Sequence, residues 1–149
     1  MIVPDVNLLL YAEIAGYPQH AAARTWWESA LSRGERIGLC PPALLGFVRI
    51  ATSRRIFERP MPVEEATERV GRWLARRGVV ALTPSGDHVP AVLRLLTQVG
   101  TAGALVTDAE IATYAMSIQG VVYSNDTDFA KFPGLRWKNP LAGSALTGI

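Results

Sequence analysis

The stretch "VVYSNDTDFAKFPGL", residues 121–135, decides how this chain is read. Val121, Val122 and Tyr123 form a short apolar run that stops at Ser124-Asn125, and two of the next four residues are Asp126 and Asp128. Asn and Asp are turn formers because their side chains hydrogen-bond nearby backbone. A polar loop after a strand is therefore the plain reading, and a loop whose carboxylates hold something is the sharper one.

Working outward, apolar runs alternate with helical segments. Met1 to Pro4 is a strand candidate, with proline tolerated only near its end or on an unpaired side. Asn7 to Ala15 and Pro18 to Ser32 follow as helices, the second with Ala22, Trp26, Ala30 and Leu31 near a 3.6-residue period. Ile37 to Cys40 is a second strand candidate. Pro41-Pro42 then suits the first turn of a helix through Ala51. "MPVEEATERVGRWLARR" has Glu64 and Glu65 in its first turn, Arg76 and Arg77 in its last, and Gly78 behind it, so dipole and capping signals agree. Residues 79–84 form a strand, and 88–100 and 108–120 are helices each closed by glycine. "GLRWKNP" supplies a short last strand. Strands separated by helices predict an α/β fold with a mostly parallel sheet of 4–5 short strands covered on both faces.

That layout gives the acids meaning. Asp5 ends the first strand, Asp108 opens a helix after the Gly-containing loop "TAGALVT", and Asp126 and Asp128 follow the strand at 121–124. Of five aspartates only Asp87 lies outside these junctions, and in open α/β sheets sites form beyond the carboxyl ends of strands. Each acid has a bland use: Asp5 and Asp108 suit helix capping or a first turn, and Asp126 and Asp128 suit an Asx-turn. Gathered at one rim, however, like charges raise one another's pKa unless a cation compensates. A hard, oxygen-loving ion such as Mg²⁺ or Mn²⁺ is the natural compensator.

Composition narrows the class. With 149 residues, 49% hydrophobic and 19% charged, the chain is expected to be one domain with a real core rather than disordered. A net charge of +2 is too small to imply nucleic acid without clustering. One cysteine, Cys40, with only His20 and His88 beside it, argues against an intramolecular disulfide or a structural zinc site. No signal peptide and no membrane-spanning run stand out, so a cytoplasmic location is expected.

"MIVPDVNLLLYA", "TDAEIATYA" and "VVYSNDTDFAKFPGLRW" together resemble the acidic motifs of PIN domains, and most closely the VapC-type toxin ribonucleases. The resemblance covers about residues 1–140, leaving 141–149 as a C-terminal tail. It implies a three-layer PIN-like fold and a Mg²⁺-dependent endoribonuclease, with Mn²⁺ as a possible substitute. It also implies a small cognate antitoxin as partner, RNA as substrate, and a homodimer. Carried over by position, Asp5, Asp108 and Asp126 match the catalytic and metal-binding acids, and Asp128 a frequent further acid. Asn7 stands where such proteins place a residue supporting the first aspartate; Ser124 or Asn125 could hydrogen-bond within the cluster or simply make the turn. One departure is plain: the family expects another acid, most often Glu, in the helix after the second strand, where this chain has Gly46. Glu110 is a poor substitute, because residues two apart do not share a helix face. Glu13 has no better claim.

Metal-assisted hydrolysis of RNA phosphodiesters is the activity expected; a PIN-like module that binds RNA or antitoxin without cutting is the alternative raised by Gly46. A haloacid-dehalogenase-like phosphatase and a phospho-acceptor receiver domain each need a lysine that this chain does not convincingly place. RNA would have to be drawn in by charge outside the acidic pocket. Arg49, Arg54 and Arg55, with Arg59, form the best cluster, and Arg136 with Lys138 a second, although solvated surface is an equally good account of them. Trp26, Trp27, Trp73, Phe47 and Phe57 are expected mainly in the core. Adjacent Trp26 and Trp27 cannot face one way, which leaves one of them for a loop, a partner or a second subunit.

Overall fold

A computed structural model describes residues 1–142; the tail read at 141–149 lies, from residue 143 onward, outside the described residues. Five short strands form one sheet: β1 (Ile2–Pro4), β2 (Ile37–Leu39), β3 (Val79–Ala81), β4 (Val121–Tyr123) and β5 (Trp137–Lys138). Six α-helices flank it: α1 (Val6–Glu13), α2 (His20–Ser32), α3 (Pro41–Ala51), α4 (Val63–Leu74), α5 (His88–Val99) and α6 (Val106–Ser117). Every strand pairing is parallel, in the order β3-β2-β1-β4-β5. This is the α/β, PIN-like sheet expected from the alternation of elements, and the expected proportion "mostly parallel" becomes entirely so.

The order matters more than the count. From β1 the chain steps outward through β2 to β3, then returns to place β4 on the other side of β1. The register sets Ile2 beside Val121, Val3 beside Val122 and Pro4 beside Tyr123. A reversal of stepping direction between neighbouring strands opens a crevice at their carboxyl ends, because the flanking loops diverge to opposite faces. Asp5 and Ser124, the residues just beyond β1 and β4, stand at that crevice. Pro4 ends its strand as required, and the ladder resumes at once, with the Asp5 N–H donating to the Tyr123 carbonyl at 2.9 Å.

The core beneath the rim is apolar and aromatic. Trp27 is 1% exposed and meets Trp73 edge-on at 5.8 Å, and Phe47 meets Trp73 at 4.8 Å. Burying side chains of this size removes enough apolar surface to stabilise the fold by roughly 1.5–3 kcal/mol each. Trp26 points elsewhere, as adjacent helical residues must, and its half-buried ring stacks on Tyr123 of β4 at 5.7 Å. The second tryptophan is thus taken up largely by the sheet.

Two glycines close helices for different reasons. Gly100 is the left-handed cap of α5, with φ +83. Gly120 was expected to do the same for α6, but the positive φ of 54 falls on Gln119. Gly120 is small for space instead: a Cβ there would lie 3.0 Å from the Met1 carbonyl oxygen, where β4 comes alongside β1. No helix among the described residues is long and apolar enough to cross a membrane.

Candidate metal centre

Asp5 is the N-cap of α1, and its carboxylate is shared between two tasks. Oδ1 accepts from the Val6 N–H at 2.7 Å, while Oδ2 accepts from the Ser124 hydroxyl at 2.8 Å. The Ser124 Oγ accepts in turn from the Asp126 N–H at 2.9 Å, and Asp126 Oδ1 accepts from the Asp128 N–H at 2.9 Å. One chain of hydrogen bonds therefore runs from the end of β1 through the turn after β4 into a short 3-10 helix, Thr127–Lys131, that Asp126 caps. Capping and turn-making are real here, and they orient the acids rather than consume them.

Asp108 comes from the opposite wall. It is not the cap of α6, which starts at Val106, but lies in that helix's first turn, half-buried, and its side chain makes no hydrogen bond among the described residues. Asp108, Asp126 and Asp128 each bring one carboxylate oxygen to within 4.8 Å of the others'. Asp5 adjoins them, being 1% exposed. Burial pushes its carboxyl up to about 6, with repulsion from Asp126 adding and the Ser124 and Val6 hydrogen bonds opposing. Asp108 is pushed up to about 7, by burial first and then by repulsion from Asp5, Asp126 and Asp128. Asp108 feels all three of the other acids, as a member of a set of like charges at one rim should. Among the described residues only one ion pair touches them, between Lys131 Nζ and Asp128 Oδ1 at 2.9 Å.

The remaining residues fall into place around this cluster. Of Ser124 and Asn125, it is Ser124, fully buried, that bonds within it. Asn7 supports Asp5 through its backbone N–H; neither its side chain nor that of Asn125 makes a hydrogen bond among the described residues. Gly46 is buried on α3, and a Cβ added there would lie 3.1 Å from Val6 Cγ2. Val6, directly after Asp5, thus fills ground that a longer side chain at position 46 would have to cross. Glu110 acts instead on Cys40 and Tyr114, where its charge adds to the burial that pushes both up. Glu13 is bound to Arg69 at the far end of α1.

The arginines read as an RNA-binding cluster lie at the C-terminal end of α3 and in the segment after it. Arg49 is exposed in the last turn of α3, and Arg54, Arg55 and Arg59 are exposed in the segment that follows, with no ion pair among the described residues. That segment is anchored by Phe57 against Tyr17, just beyond α1. Arg136 instead donates to the Gln119 carbonyl, and Lys138 is exposed on β5. Lys131, weighed from the sequence only as a receiver-domain lysine and set aside, is a neighbour of the cluster. Its signal was the spacing Asp128 to Lys131, which becomes a contact only once the turn is seen to be a 3-10 helix.

Comparison with known proteins agrees with this geometry. The PIN domain family matches residues 2–135. Ribonuclease VapC33 of Mycobacterium tuberculosis is 46% identical over 141 residues, covering 95% of this chain and 99% of that protein. Among solved structures, M. tuberculosis VapC20, described as a sarcin-ricin loop cleaving toxin, gives a TM-score of 0.66 at 18% identity, covering 91% and 99% of the two chains. A toxin-antitoxin complex from Klebsiella pneumoniae gives 0.62 at 16%, covering 94% and 98%. Those two likenesses speak to the fold alone. The chain belongs to the PIN-domain family and, within it, to the VapC type.

Proposed function

We propose that this protein is a divalent-metal-dependent endoribonuclease, the toxin of a toxin–antitoxin pair, working in the cytoplasm. The observation that carries the reading is the convergence of Asp108, Asp126 and Asp128 within 4.8 Å, beside the buried carboxylate of Asp5. The donor set is all carboxylate oxygen, which suits Mg²⁺ or Mn²⁺ and not a soft metal. The raised pKa values of Asp5 and Asp108 fit as well, since a cation relieves the repulsion and burial that raise them. Asp108, Asp126 and Asp128 would hold the ion, with Asp5 completing the site. A bound divalent ion supplies a water of lowered pKa and neutralises charge developing on the phosphate.

The chain's own residues do the positioning. Ser124 fixes the Asp5 carboxylate by donating to Oδ2 and holds the Asp126 backbone by accepting its N–H. Asp126 in turn holds Asp128 through its backbone. Preorganisation of this kind removes the cost of assembling repelling groups at the moment of reaction. Arg49, Arg54 and Arg55, exposed and without an ion pair among the described residues, would contact phosphates flanking the cut, and such contacts weaken steeply with salt. What supports the antitoxin reading is the chain's VapC type, together with a shared fold with the toxin of the Klebsiella toxin-antitoxin complex. A homodimer is supported by Val89 and Leu93, exposed one turn apart on α5.

The non-catalytic alternative is less well supported. A module that only binds antitoxin or RNA gains nothing from holding four repelling acids together, whereas a cation site requires it. Purified protein incubated with total RNA should cut it in Mg²⁺ or Mn²⁺ and stop in EDTA, and the Asp5→Asn protein should be inert while remaining folded. Full metal-dependent cleavage by Asp5→Asn would remove the assignment.

A further inference from the structure

Lys131 is absent from the machinery described above, yet the fold delivers it there. In a 3-10 helix there are three residues per turn, so side chains three apart eclipse. Asp128 and Lys131 both lie in Thr127–Lys131, and the ammonium sits 2.9 Å from Asp128 Oδ1. Asp128 simultaneously offers an oxygen to the group it forms with Asp108 and Asp126. One carboxylate thus has two claimants, the lysine and a divalent ion. A carboxylate has lone pairs enough for both, but two cations on one small group repel each other strongly. Lys131 is the one free to leave, because its side chain is 54% exposed on a flexible four-carbon stem.

We propose that Lys131 is a substrate-contacting residue: its ammonium is kept on Asp128 until a divalent ion takes that carboxylate, and it then binds a phosphate of the RNA strand. The inference rests on the metal-dependent ribonuclease reading and adds a coupling to it. In the metal-free protein the lysine offsets part of the acidic charge. In the loaded protein it becomes a positive group at the lip of an otherwise acidic pocket, where the substrate's backbone must pass. Metal and RNA binding are thereby linked through one side chain.

The coupling has a signature that a purely structural role lacks, because removing Lys131 should move the two affinities in opposite directions. By calorimetry, Lys131→Met should bind Mg²⁺ about two- to fivefold more tightly than the wild type, having lost an exposed competing ion pair. With Ca²⁺ as the loaded ion and a labelled mixed-sequence single-stranded RNA verified uncut on a gel, the same variant should bind RNA several-fold more weakly. Its slope of log affinity against log salt should be shallower by about 0.7. Lys131→Arg should retain RNA binding. Unchanged or weaker Mg²⁺ binding by Lys131→Met, or RNA affinity and salt slope equal to wild type, overturns the inference alone. A wild type that binds no divalent ion at all overturns it together with the metal reading.

Discussion

Helix α1 carries a charged cluster at each end, and the two are built on opposite principles. At its C-terminal end Glu13 accepts from Arg69, which also reaches Glu65 at 2.5 Å on α4. An acid is badly placed at a helix C-terminus, where the backbone presents partial negative charge, and the arginine corrects this. At the N-terminal end Asp5 is well placed for the dipole but then meets Asp108, Asp126 and Asp128, where the one ion pair among the described residues is the exposed Lys131 on Asp128. One end is satisfied within the protein; the other gathers like charge that, among the described residues, is paired only at Asp128. Ion pairs that close on themselves hold helices together, and charges that do not close mark the place where something binds.

The comparison can be broken most sharply by Asp108→Asn. Losing a ligand that stabilises transition-state charge should cut metal-dependent cleavage at least about a hundredfold, while the metal-free protein at pH 8 should melt no lower than wild type, because a repelling charge has gone. A variant that cleaves normally, or that melts well below wild type, would mean that the rim acids are structural like those at the other end. Arg69→Met tests the other end: with Glu13 and Glu65 left half-buried and unpaired, urea unfolding should show a loss of about 2 kcal/mol, with kcat for RNA little altered.

The smallest expected effect is one of pH. Asp5 and Asp108 titrate near about 6 and about 7 in the folded protein, above the ordinary carboxylate value of 3.8. Between those limits the folded state holds more protons than the unfolded one, so metal-free stability falls as pH rises and levels off above about 7. Calorimetric melting should show this decline. Added Mg²⁺ should raise the melting temperature clearly at pH 8 and little at pH 5, where protons compete for the ligands. A metal-free melting temperature that rises from pH 5 to 8 would contradict the raised values.

Much of the rim was legible because it follows from strand ends. Asp5 comes directly after a short apolar run and Asp126 two polar residues after another, and a parallel sheet sends all such ends to one side. Asp108 was legible as a residue of the right kind, but its task was not: capping and first-turn positions differ by a residue or two, a resolution that hydrophobic periodicity lacks. The partner of Ser124 was undecidable between bonding and turn-making, since its acceptor lies 119 residues away. Arg69 and Glu13, 56 residues apart, were invisible for the same reason. Gly120 misled because glycine after a helix signals a cap, whereas here closeness of β4 to β1 demands the small residue. Gly46 stood out as a missing acid, and only the contact with Val6 shows what its smallness makes room for.

The Ser124 hydroxyl also has a consequence in time. Asp5 leaves the ribosome well before Ser124, Asp126 and Asp128, more than a hundred residues further along the chain. The side-chain bond that ties the two sides of the rim, from the Ser124 hydroxyl to Asp5, joins the ends of β1 and β4, so a nascent chain that has folded everything through α6 still lacks the site. Whatever this protein does to RNA, it cannot do during most of its own synthesis, and any chain broken off before residue 124 is born harmless.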